Sequence, residues 1–545
     1  MSAARCQDAP MRRPSRTVLL VGLLAALPVI VSTIRAAAVG WVPVGDDAII
    51  AARAYDVFST RPPLLGQYSA ATGGGESVYS LGPLLYWLLA IPARIGPAAV
   101  LFTAGLVNVL SLMGVVALAR RRGGDALMLV TAAAAAAMCW SFVPDSLHDI
   151  WNPSIALMPF ALLMFVAWSV ACGEHRLLPL LVVVASFAVQ CHLMFVLPTI
   201  ALVAIAGAGL TVAVRRDGAP ADLRRWAAIA AVLTLVCWSA PLAEQVIHRP
   251  GNMVQVVRVG LDDRGKLGAA AGAHTVARTV GVPPVWLQEP RSPVGVLAAV
   301  QNAPAAVTSA TAVILLALLA LIAAVGARRR RWPVAAAALI GLVVPLLLGV
   351  VAASTPTKDG LFISVGYTLR WGSVAGMFAW VACLWGAATL LRPGWERLAL
   401  PGRRASWAGT AAVGAVAIAV SAGTRADRFE VRYEPANTIE RAIEGANHDG
   451  AVMVEAPLRY FDLQAGAVYA LRRSGEVRMP LFDRQLGRRY RPRDADRGPV
   501  IRITPEPARP GPGERVVAHV PYDSVDEKPS RARPPMLQVT VRPRR

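Results

Sequence analysis

Along this chain, polar residues interrupt long apolar runs at intervals that suit bilayer-spanning helices, each of which needs roughly 20 predominantly apolar residues. Runs of that kind cover 17–38, 98–119, 126–143, 153–172, 176–192, 193–214, 226–242, 306–326, 333–353, 366–391 and 406–423, which predicts eleven crossings. A further apolar stretch, "LGPLLYWLLAIPARIG" (81–96), is short, opens at Gly82-Pro83 and is interrupted by Pro92 and Arg94. Arginines cluster between the runs: Arg12, Arg13 and Arg16, then Arg120–Arg122, Arg176, Arg215–Arg216 with Arg224–Arg225, Arg328–Arg331, and Arg392 through Arg404. Membrane proteins retain such charge on the cytoplasmic side. All these clusters fall on one side only if 81–96 does not cross. The pattern therefore predicts a juxtamembrane helix there, lying along the outer interface with Tyr86 and Trp87 at headgroup depth. It also places the N-terminus in the cytoplasm and the C-terminus outside. The first run follows arginines as a signal peptide does, but it lacks a clear small-residue cleavage site and reads as a retained helix.

Composition agrees with the pattern. Of 545 residues, 55% are hydrophobic and 16% charged, with mean hydropathy +0.49; a soluble protein carries about 25% charged residues. The net charge of +21 could suggest nucleic acid, but the basic residues occupy short connectors between apolar runs, so no nucleic-acid partner is expected. Five of the six cysteines lie in or beside apolar runs, Cys6 precedes them, and none occurs after residue 423, so no disulfide framework is implied. The fold class expected is mainly α: a polytopic bundle of about eleven transmembrane helices over 1–423, in a cell membrane. A small extracytoplasmic α/β domain follows over 424–545. There "ANTIERAIEGANH" and "YFDLQAGAVYALRR" read as helices, "AVMVEA", "RVVAHVPY" and "MLQVTVRP" as strands, and the end as loose.

With this topology the polar chemistry gathers outside, in 40–97, 144–153, 190–192, 243–305 and 354–360. Asp46 and Asp47 follow Gly45 at the outer end of the first run and open a segment rich in polar side chains, among them Arg53, Asp56 and Tyr68. Acidic residues often do no more than mark the water boundary. A partly desolvated pair in an ordered segment is also a candidate general base, and a candidate ligand pair for a divalent metal such as Mg, Mn or Ca. "HDIWNP" adds His148, Asp149, Trp151 and Asn152 at another rim, where Trp151 also suits an interfacial anchor and Asn152-Pro153 a helix boundary. The same side receives Gln190, His192, Glu244 and Gln245. Lys358 and Arg370 supply positive charge there, and Arg370 lies just inside a run, where a charge needs a partner such as phosphate or carboxylate. No P-loop, GxSxG, HExxH or CxxC pair is present, and "TGGGES" (72–77) reads as a flexible loop.

Together, "GDDA", "RAYDVFSTRPPLLGQYS" and "SLGPLLYWLLAIPARIG" resemble the first external segment of GT-C glycosyltransferases. The likeness is to the polyprenyl-phosphate-sugar-dependent branch that includes protein mannosyltransferases and arabinofuranosyltransferases, of actinobacterial type. "WNPSIALMPF", "QCHLMFVLP" and "PLAEQ…PGN" look like its further landmarks, so the resemblance covers about 40–380. Many relatives carry a histidine before a Pro-Gly-Pro element; Val78, Tyr79, Ser80 and Leu81 stand there in this chain. The resemblance implies a transferase that moves a sugar from a polyprenyl-phosphate donor to an envelope glycan, lipid or protein acceptor. It implies catalytic Asp46 or Asp47, and donor phosphate held by Lys358, Arg370 and Arg249. Two other readings stay open: a lipid-linked-glycan transporter or flippase, and a non-catalytic envelope assembly factor.

Overall fold

The computed structural model describes residues 15–69, 77–261, 265–357, 365–391, 402–444, 450–480, 482–494, 496, 498–523 and 534–543. Lys358, most of the glycine-rich loop, and the arginines at 12, 13 and 392 lie outside them. The molecule is mainly helical. Seven helices among the described residues are long and apolar enough to cross a membrane: Pro97–Ser141, Asn152–Ala171, Leu193–Asp217, Leu223–Ile247, Ala306–Arg328, Trp332–Ala353 and Thr368–Leu391. Arg16–Ala25 and Leu27–Ala38 make an eighth if the pair, bent by 56°, counts as one span. Pro28 sits at the start of the second of these helices, where a residue without an N–H breaks the ladder at least cost.

Seven or eight is fewer than the eleven crossings expected, for two local reasons. His175–Cys191 and Ser406–Ala422 are apolar but shorter. The runs 98–119 and 126–143 form one continuous element that leaves helical geometry at Gly123 and Gly124, where Gly124 takes φ 73°. Only glycine adopts that conformation readily. Val116 on one side of the break and Met128 and Ala132 on the other share a cluster with Val18, Val21 and Val413, so the two arms lie side by side.

Burial sorts the helices. The apolar window of Asn152–Ala171 is wholly buried, whereas those of Leu223–Ile247 and Ala306–Arg328 are 22% and 28% buried. A helix that is apolar all round can serve as a core or face lipid; here one does the first and two do the second. Arginine connectors gather at one end of the bundle. Arg121 and Arg122 pair with Glu174, Arg176 and His175 with Asp222, and Arg331 donates to Thr389 O at 2.6 Å. The opposite ends of the same helices carry Asn152 and Arg370.

Residues 81–96 form two short helices, Leu84–Leu89 and Pro92–Ile95, too short to cross. Tyr86, expected at headgroup depth, is instead buried and donates to Gln67 Oε1 at 3.2 Å, because this stretch packs beneath the Gly45–Tyr55 helix. After the last apolar helix, a mixed sheet of order β2-β1-β3-β5-β4 comprises β1 (Val452–Glu455), β2 (Val477–Arg478), β3 (Val500–Pro505), β4 (Arg515–Pro521) and β5 (Met536–Arg542). β2, β1 and β3 run parallel, and β3, β5 and β4 antiparallel. The Phe461–Ser474 helix of this module packs along Gly45–Tyr55, which brings the C-terminal module against the segment that carries the acidic pair.

Candidate functional site

The acidic pair owes its position to one glycine. The chain arrives extended through Val44, turns at Gly45 (φ 54°) and enters the helix, so Asp46 and Asp47 occupy its first turn. Free N–H groups and the positive end of the dipole favour negative charge there. Asp46 is exposed to solvent, yet surrounding protein raises its carboxyl pKa by burial, and a bond from Trp151 opposes the rise. Trp151 Nε1 donates to Asp46 Oδ2 at 3.2 Å.

An aromatic wall continues from that bond. Trp151 meets Tyr367 edge-on at 5.3 Å, and Tyr367 packs on His192 and Trp371. His192 Nδ1 accepts from Met194 N–H at 3.2 Å, which fixes a neutral ring whose Nε2–H donates to Tyr367 Oη at 3.3 Å. The Tyr367 hydroxyl keeps its own proton to donate. Nothing in the sequence reading assigned Tyr367 a role.

Arg370 lies behind the wall, its guanidinium 5.7 Å from the Trp151 ring and its Nη1 donating to Ser146 Oγ at 2.8 Å. Among the described residues no carboxylate is close enough to form an ion pair with it. Arg370 also lines a shallow cleft with Arg291, Glu289, Ser141 and Ser373 among apolar Val285, Val296 and Leu369.

Asp47, Asp145 and Asp149 form the electrostatic core. Burial is the leading cause of the raised pKa of each; Asp46 and Asp145 push Asp47 further up, and Asp47 and Asp145 do the same to Asp149. Carboxyls this close in a low-dielectric setting cannot all ionise. Asp149 is buried, and its Oδ1 has no hydrogen-bond partner. Asp145 is instead capped by the N–H groups of Arg428 (2.8 Å) and Phe429 (3.5 Å), at the start of the C-terminal module. No signal in the sequence joined 145 to 428.

Other expected site residues do structural work. His148, placed at an outer rim by the sequence, is fully buried between Ser32 Oγ (2.9 Å) and Asp427 Oδ2 (3.2 Å), because residues 427–429 fold over its loop. Asp56 is fully buried against Arg472 (2.9 Å), Arg53 (3.8 Å) and Arg489 (4.0 Å), and so ties the C-terminal module to the membrane domain. Gln190 spans Leu84 N and Cys237 O, while Asn152 donates to Cys191 O. Glu244 accepts from Asn252 N–H and from Gln245. Tyr68 stacks edge-on with Tyr79 at 5.5 Å. The structure thus brings Asp46, Asp47, Asp149, Trp151, His192 and Arg370 together and leaves Arg53, Asp56, Tyr68, His148, Asn152, Gln190, Glu244 and Gln245 in the scaffold around them. For the acidic pair as a metal site, no group of three or more His, Cys, Asp or Glu side chains among the described residues is arranged to hold an ion. Trp151 already engages one Asp46 oxygen.

No protein-family profile matches the chain, and no curated protein is significantly similar to it.

Proposed function

We propose that the chain is an integral-membrane glycosyltransferase of GT-C type, with eleven crossings, a cytoplasmic N-terminus and an extracytoplasmic C-terminal module. It takes a sugar from a polyprenyl-phosphate donor and passes it to an envelope glycan, lipid or protein hydroxyl. The observation that carries this reading is a solvent-open carboxylate with a raised pKa, oriented by Trp151, whose ring stands 5.7 Å from the Arg370 guanidinium. A raised pKa matches a carboxylate to proton transfer near neutral pH. In the proposed step Asp46 takes the proton of the acceptor hydroxyl. The acceptor oxygen bonds to the anomeric carbon as the bond from that carbon to the phosphate oxygen breaks. The leaving phosphate takes the electron pair, and Arg370 opposes its charge. Asp47 and Asp149 stand behind Asp46. The test is sugar transfer from a synthetic polyprenyl-phosphate donor by purified wild-type and Asp46→Asn protein. Unchanged transfer by the variant removes Asp46 from the mechanism; no transfer by wild type across donor sugars removes the reading.

A further inference from the structure

The Asn252–Leu261 helix plays no part in the site, and its apolar surface is left open. Val254, Val257 and Leu261 are 43%, 59% and 77% exposed. Spaced three and four residues apart, they share one face of the helix. Arg258 stands at the edge of that face. Exposed apolar stripes of this kind mark surfaces that something covers.

What covers this one follows from where the helix is pinned. Both Glu244 carboxylate oxygens accept from Asn252 N–H, at 3.0 and 3.3 Å, which folds the helix start back onto the end of the spanning Leu223–Ile247 helix. The Asn252 side chain then bonds both Tyr79 N–H (2.9 Å) and Tyr79 O (3.0 Å). Leu242, Val246 and Ile247, in the last two turns of the spanning helix, are 49%, 73% and 64% exposed. Such a helix, mostly unburied within the protein, faces lipid along its length. The apolar stripe therefore continues a lipid-facing surface around a turn of four residues, 248–251.

We infer that Asn252–Leu261 lies in the plane of the bilayer surface, with Val254, Val257 and Leu261 in the acyl boundary of one leaflet. An amphipathic helix with basic charge beside its apolar face binds membranes in this way. The consequence is local: through Asn252 and Tyr79, the anchor sets the height of residues 77–80, and of 67–69 paired with them, above the membrane.

The experiment is spin-label accessibility in nanodiscs containing an anionic phospholipid, with full-length Val257→Cys and, separately, Leu261→Cys. The described native cysteines are buried or half-buried, and unsubstituted protein run in parallel supplies the background. Leu318→Cys, on a lipid-facing helix, and Arg515→Cys, exposed on β4, calibrate the two extremes. The expected result is that oxygen collisions dominate over nickel-chelate collisions at 257 and 261, as at 318. Nickel collisions like those at 515 would show the stripe facing water and overturn the inference. Suppression of both reagents would show it covered by protein and overturn it equally. Should one variant misfold, the other decides.

Discussion

Asp46 and Asp56 stand at the two ends of one helix, and their surroundings could hardly differ more. Asp56 is fully buried, with three guanidiniums within 4.0 Å. Asp46 opens to solvent, has one indole N–H on one oxygen, and carries a raised pKa. A carboxylate ringed by cations and sealed from solvent is closed to a ligand. One held by a single neutral donor keeps its basicity and a face for chemistry. The sequence treats the two alike, since both are aspartates in a polar external segment. The difference is that the C-terminal module covers one end of the helix with Arg472 and Arg489 and leaves the other open.

The largest expected effect separates the two ends outright. On the proposed reading, Asp46→Asn lowers sugar transfer about 10²–10⁴-fold, while its melting curve and donor binding stay near wild type. If Asp46→Asn unfolds the protein as readily as a change at Asp56, the contrast between the ends fails.

Next in size is Arg472→Met. Removing the nearest cation from a buried carboxylate costs about 3–5 kcal/mol. Thermal unfolding in detergent, followed by tryptophan fluorescence, should show a clear loss, accompanied by faster proteolytic release of the C-terminal module. A wild-type melting curve would mean that Asp56 is not held as the 2.9 Å contact implies.

Arg370→Met comes third. A charge-assisted hydrogen bond contributes about 1.5–3 kcal/mol, so the affinity for a polyprenyl-phosphate donor should fall roughly 10–100-fold. Affinity for the acceptor should hold. Equal loss for both substrates would move Arg370 from the phosphate to the frame of the site.

The smallest effect concerns pH. Asp149 has a folded pKa above its unfolded value, so the folded state binds the proton more tightly. Its contribution favours folding at low pH and is lost as pH rises through the folded pKa. Asp149→Asn should therefore raise the melting temperature at neutral pH, with the gain shrinking in acid. Transfer itself should fall in acid as pH drops through the raised pKa of Asp46. A wild-type and Asp149→Asn pair with parallel stability–pH curves would show that Asp149 is ionised in both states.

Much of the frame was legible in the sequence. Apolar runs predicted the helices because length and apolarity are local properties, and the arginine clusters Arg120–Arg122, Arg176 and Arg328–Arg331 do lie at one end of the bundle, opposite Asn152 and Arg370. After residue 424 two helices and strands β1, β4 and β5 were readable for the same reason, since periodicity is written within each segment, whereas β2 and the central β3 were not named.

The partners were not legible. Asp46 and Trp151 are 105 residues apart, Asp56 and Arg472 416, and Asp145 and Arg428 283. Nothing in a local pattern says which carboxylate a distant arginine will reach. By itself the sequence determined that the chain forms apolar helices with a small C-terminal sheet, that two adjacent acids follow Gly45 in a polar segment, and that positive charge gathers in connectors. Tertiary structure alone decided that Asp56 and His148 are locked inside while Asp46 stays open, that Tyr86 is core, and that Tyr367 joins the wall of the site. Burial and pairing are properties of what packs around a side chain, and that packing is fixed only when helices far apart in the chain come together.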